Sequence, residues 1–197
     1  MLPASSKAFV RLLKPAWIRD RIIGLSEKSQ PENIIAKEAR LRKVFGRIPP
    51  NVKLVPIDFD HEDLAAALES QGFSTSRRTF FIMEAVTLYL TQQGMERTFG
   101  FLARASAGSR LTFTYVRKDF LDGKAFYGWE SGYKRFVSGK VWHYAMDPKT
   151  LPGFLMNYDW KMIEDRGYDE LAGEYLKPLG RRLNSTPVER MVFAEKS

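Results

Sequence analysis

The chain has 197 residues, 44% hydrophobic, 13% aromatic and 27% charged, with a formal net charge of +8, which suits one globular domain large enough to bury a core. With no cysteine and only His61 and His143 as histidines, it excludes disulfides, thiolate nucleophiles and cysteine-based metal sites, and argues against a histidine-based one. The charge is uneven: residues 1–50 hold 11 Lys and Arg against 4 Asp and Glu, whereas 51–197 hold 20 against 19, so no phosphate-binding surface is expected of the body.

No apolar run reaches the length of a membrane-spanning helix, and the N-terminus lacks the pattern of a signal peptide, so a cytosolic protein is expected. Ser5 or Ser6 can cap a short helix with Phe9, Val10, Leu12 and Leu13 apolar and Lys7, Arg11 and Lys14 outside. Such a helix can pack on the domain, lie on a membrane surface or serve as a targeting segment. Helical spacing over 34–45 follows, with Ile34, Leu41, Val44 and Phe45 as the apolar face, ended by Gly46 and Pro49-Pro50. The run Val52 to Ile57 predicts a strand that Pro56 confines to a sheet edge. Asp60 is the expected cap of a helix beginning at His61, with Leu64, Ala67 and Leu68 buried and Gly72 ending it.

Thr79 to Met83 is apolar on both faces, as a central parallel strand should be. Helical spacing then covers 91–105, and Leu111, Phe113 and Tyr115 alternate with threonines in a strand over 110–116. Further on come a helix over 148–157, a strand over 160–164, a helix over 168–176 and a strand over 188–194. Strands alternating with helices in this way predict an α/β domain with a mainly parallel sheet.

Ligands of such sheets bind beyond the carboxyl ends of the strands, which here carry Asp58 and Glu84. Acidic groups there suit hydroxyls, amines or a cation, although each can equally serve its own turn. Residues 113–144 hold ten of the 26 aromatics, interleaved with glycines, and form either a lid over about 117–147 or a second small core. His143 lies in this segment as a candidate general base.

The ordered segments LRKVFGRIPPNVKLVPIDF, LAAALESQGF, FIMEAVTLYLT and ASAGSRLTFTYVRKDFLDG resemble the leucine carboxyl methyltransferase-like family of class I S-adenosylmethionine-dependent methyltransferases, over about residues 36–195. The resemblance implies a Rossmann-like α/β sheet in the order 3-2-1-4-5-7-6, with 52–57 as its third strand. It implies that Asp58 and Phe59 contact the adenine of S-adenosyl-L-methionine and that Glu84 is the acidic residue after the fourth strand. Ala85 stands where the family usually has glycine. The glycine turn after the first strand and the acidic end of the second are not visible before Val52, so the sheet is expected to be incomplete at its first two strands, with residues 1–35 a divergent basic segment ahead of a domain over 36–197. Direct pairing of strands three and four, a substitute strand from Trp17 to Leu25 or docking of another copy would close the gap.

The implied activity is O-methylation of a carboxylate or hydroxyl on a small molecule or protein, with no metal. An inactive remnant of the family and a binder of nucleic acid or a membrane surface are the alternatives.

Overall fold

The computed structural model describes residues 22–27, 31–59, 61–183 and 185–197. The proposed helix around Ser5 and Ser6 and the cap at Asp60 lie outside them. The chain divides into two compact units, before and after residues 74 and 75.

The first unit is built on two parallel strands, β1 (Ile22–Glu27) and β2 (Val52–Ile57), joined by helix α1 (Pro31–Phe45). α1 opens on a proline, whose missing N–H costs nothing at a first helical position, and ends with Arg42 and Lys43 at its negative pole. Gly46, at φ +74°, turns the chain out of it. The face predicted for this helix is only partly covered: Ile34 and Leu41 are half-buried, but Val44 and Phe45 are exposed.

Helix α2 (Leu64–Glu69) begins later than expected because Asp63, rather than a residue before His61, caps it. The Asp63 carboxylate accepts from the N–H groups of Ala65 and Ala66, which have no partner within the first turn. Ala65 and Leu68 are the residues this helix buries, together with Ile57 of β2.

The second unit contains a four-stranded sheet in the order β3 (Phe80–Met83), β4 (Arg110–Val116), β6 (Glu189–Lys196), β5 (Trp160–Arg166). β3 and β4 are parallel, and β6 inserts antiparallel between β4 and β5. The sheet is therefore mixed rather than mainly parallel, since the last strand returns from the opposite direction. β3, expected at the centre, is an outer strand of this sheet, and Ile82 is 41% exposed. The centre is β4, whose residues from Leu111 to Val116 are all buried.

Helix α3 (Gln92–Leu102) starts where Thr91 Oγ1 accepts from the Gly94 N–H at 3.0 Å. Its Phe99 meets Phe113, Phe154 and Tyr158 at centroid distances of 5.6, 4.9 and 5.6 Å, joining α3 and β4 to helix α5 (Leu151–Met156). Helix α6 (Tyr168–Tyr175) follows β5. A short α4 (Lys118–Leu121) follows β4.

Three strands are also tied by polar groups. The Tyr115 hydroxyl donates to Asp165 Oδ2 at 2.9 Å, and Arg190 Nε donates to Asp165 Oδ1 at 2.9 Å. Burial, reinforced by the Asp165 charge, pushes the Tyr115 phenol well above its ordinary range and holds it as a donor. No helix among the described residues is long and apolar enough to cross a membrane.

Candidate functional site

Asp58 and Phe59 belong to the first unit and Glu84 to the second, so the two places are taken in turn. In the first unit, the parallel register sets Glu27 opposite Ile57, which puts Glu27 and Asp58 at neighbouring carboxyl ends. This is where ligands of parallel sheets bind. Asp58 also organises the following turn: its Oδ1 accepts from the His61 N–H at 3.0 Å and its Oδ2 lies 2.8 Å from His61 Nδ1. Its own N–H donates to Glu62 Oε2 at 2.8 Å. The side chain remains 35% accessible, so the carboxylate serves its turn and is still reachable by a ligand.

β1 bears on the expected gap. It flanks 52–57 in parallel, as a substitute strand from Trp17 to Leu25 would, and it ends in an acid. Trp17 to Leu25 held part of the signal, but the strand runs from Ile22 to Glu27, and a short β-branched run without turn residues on both sides is hard to see in sequence.

In the second unit, Glu84 follows β3 and Ala85 adopts φ +53°, the left-handed region that glycine enters freely. The Ala85 N–H donates to Thr114 Oγ1 at 2.8 Å, and Thr87 Oγ1 donates to the Thr114 carbonyl at 2.8 Å, so this turn is locked onto β4. The sequence marked Ala85 as a departure from glycine, and its backbone lies where glycine would be free of strain. Ala85→Gly is expected to stabilise the protein by about 0.5 kcal/mol net, and Ala85→Val to destabilise it by about 1 kcal/mol or more, both read by urea unfolding.

Glu189, opposite Val116 at the same end of β4, was not singled out in the sequence. Burial raises its carboxyl above the usual range; a hydrogen bond with Thr114 opposes this and the nearby Glu84 charge adds to it. Because the folded value is the higher one, stability is lost as pH rises through it. Glu189→Gln is thus expected to raise the melting temperature at neutral pH, with the difference vanishing below the ordinary value of 4.5. A gain that persists under acid would contradict this.

Residues 120–142 fold as a second apolar cluster. Phe120, Leu88, Val116 and Val188 are its buried members, with Trp129, Tyr133, Val137 and Trp142 packed against them. Trp129 stacks on Phe120 at 5.9 Å, and Phe136 on Trp142 at 4.7 Å. The backbone here is unusual: Tyr127 has φ +56°, and Tyr133–Ser138 is a π-helix. Arg117 donates to both Asp119 oxygens, at 3.2 and 2.8 Å, and the Tyr127 hydroxyl donates to Asp119 Oδ2 at 2.6 Å. The Arg117 guanidinium accordingly holds the Asp119 carboxyl below its usual range.

His143 is exposed and held through its N–H on the Leu88 carbonyl, at 2.8 Å. It lines a cavity of about 330 Å³ with Lys118, Asp147, Leu121, Leu151 and Phe154. Since Lys118 lies two residues beyond the last residue of β4, this cavity lies at the carboxyl end of the central strand.

Residues 13–103 match the model of the leucine carboxyl methyltransferase family. The match begins upstream of Ala36, where the motifs alone start the resemblance, and it takes in β1. A Mycolicibacterium gilvum protein bearing the name S-adenosyl-L-methionine-dependent methyltransferase is 33% identical over 91 residues, 46% of this chain. The chain spans about 29% of that relative's length.

Among solved structures, a DUF574 family protein from Streptomyces avermitilis superposes with a TM-score of 0.60 at 12% identity, covering 97% of this chain and 80% of that one. An S-adenosylmethionine-dependent methyltransferase from Mesorhizobium loti gives 0.56 at 13% identity, covering 90% and 81%. Magnesium protoporphyrin IX methyltransferase from Synechocystis, solved with bound S-adenosylhomocysteine, gives 0.51 at 11% identity, covering 90% and 64%. These likenesses establish the fold as Rossmann-like α/β. The order β3-β4-β6-β5 is the 4-5-7-6 half of the sheet that the resemblance implies.

Proposed function

We propose that the chain binds S-adenosyl-L-methionine and serves transfer of its methyl group to an oxygen, that of a carboxylate or a hydroxyl. The observation that carries this reading is the pair of parallel strands, within the family-matched stretch, that bring Glu27 and Asp58 to adjacent carboxyl ends. The reachable Asp58 carboxylate fits an exocyclic amine as acceptor, with Phe59 as the apolar side chain against the ring. In the second unit, Glu84 and Glu189 set negative potential at the carboxyl end of β3 and β4, which favours a cationic ligand group.

The cofactor, when bound, supplies an activated methyl group on a sulfonium. The protein's part is alignment and exclusion of water. A carboxylate acceptor needs no base. For a hydroxyl acceptor, His143 at the mouth of the cavity takes the proton.

Calorimetric titration with S-adenosylmethionine and S-adenosylhomocysteine tests the reading. Binding in the micromolar range is expected for both. Asp58→Ala should weaken it by about tenfold or more, while Asp58→Asn, which keeps an oxygen for the His61 N–H, separates loss of the ligand contact from collapse of the turn. No heat with either ligand up to about 1 mM would refute the proposal and favour the inactive remnant.

A further inference from the structure

The groove along α6 carries a feature that methyl transfer leaves unused. Tyr168, Ala172 and Leu176 stand four residues apart on one helical face and form its floor. Ala172 is the small member of that stripe, and the groove, which Leu183 also lines, has a volume of about 670 Å³, within the size range of small-molecule sites.

The rim is cationic. Lys177, Arg181 and Arg182 line the groove and are exposed, and none of the three has an ion-pair partner among the described residues. Asp169 is the one carboxylate in the lining, so the local formal charge is three positive against one negative. The turn that presents these cations is anchored at both ends. The N–H groups of Leu179 and Arg181 donate to the Leu176 carbonyl, each at 3.0 Å, and the Gly180 N–H donates to Lys177 at 3.0 Å. The Tyr168 hydroxyl donates to the Leu183 carbonyl. Gly180, at φ +63°, makes the reversal possible.

We infer that this groove binds a phosphomonoester borne on an apolar body. Two guanidiniums and an ammonium around one opening offer more donors than a carboxylate can use, whereas a phosphate dianion has three oxygens and matches the excess of two positive charges. The apolar lining residues Ala172, Leu176 and Leu183 take the apolar part. Because the turn is already ordered, binding orders side chains only.

Titration of the full chain with phenyl phosphate, inorganic phosphate and phenol tests the inference. Phenyl phosphate is expected to bind about tenfold or more tightly than inorganic phosphate, and phenol to give no heat. The double variant Arg181→Gln, Arg182→Gln should lose about tenfold or more in phenyl phosphate affinity at an unchanged melting temperature, since both side chains are exposed and have no ion-pair partner among the described residues. Ala172→Leu, which fills the floor, should weaken phenyl phosphate and leave inorganic phosphate unaffected. Equal affinity for the two phosphates, no loss in the double variant, or no binding up to about 10 mM would each overturn the inference.

Discussion

Asp165→Ala is expected to lower the unfolding free energy by about 3 kcal/mol. The carboxylate is 11% exposed and its partner Arg190 15%, so both charges have been taken largely out of water. Removing the anion leaves the guanidinium with Glu170 at 3.9 Å as its remaining carboxylate, and leaves the buried Tyr115 hydroxyl without its acceptor. The cost is mostly that of uncompensated groups rather than of the lost attraction. Asp165→Asn keeps an acceptor and should cost about half as much. Urea unfolding followed by circular dichroism measures both; a loss under about 1 kcal/mol for the alanine variant would show that the network is not a stabilising tie between β4, β5 and β6.

Gly132→Ala should cost about 2 kcal/mol, for a steric reason. A Cβ at this position would lie 2.2, 2.3 and 2.6 Å from atoms of the Trp129 indole. The contacted atoms belong to the fused part of the ring, which cannot swing away alone. Trp129 also touches Phe120, Phe136 and Trp142, so any relief displaces the aromatic cluster as a whole. Lowered stability with altered tryptophan fluorescence is the expected result. If the variant keeps both unchanged, the ring does not lie over Gly132 as described.

The strands were the most legible part of the molecule. Val52 to Ile57 and 110–116 were read with their full boundaries because alternation, β-branched residues and Pro56 are local signals. Helix starts were less so: Asp63 caps α2, and nothing in composition sets it above the other acids of that turn. Asp58 was found through its place at a strand end, yet its bond to His61 could not be read from spacing. Glu189 was missed because an acid at the start of the last strand carries no pattern of its own. It becomes noticeable when β6 inserts beside β4 and brings it near Glu84 and Thr114.

By itself the sequence determined the class of fold, the resemblance to leucine carboxyl methyltransferases and the acidic strand ends, since each follows from residue order and local periodicity. The tertiary structure alone decided that β1 pairs with β2, that β6 runs antiparallel into the sheet and that the aromatic segment packs as a core. The reason is physical: strand pairing and ring packing join residues distant along the chain, and their energies depend on which surfaces meet, which no local pattern encodes.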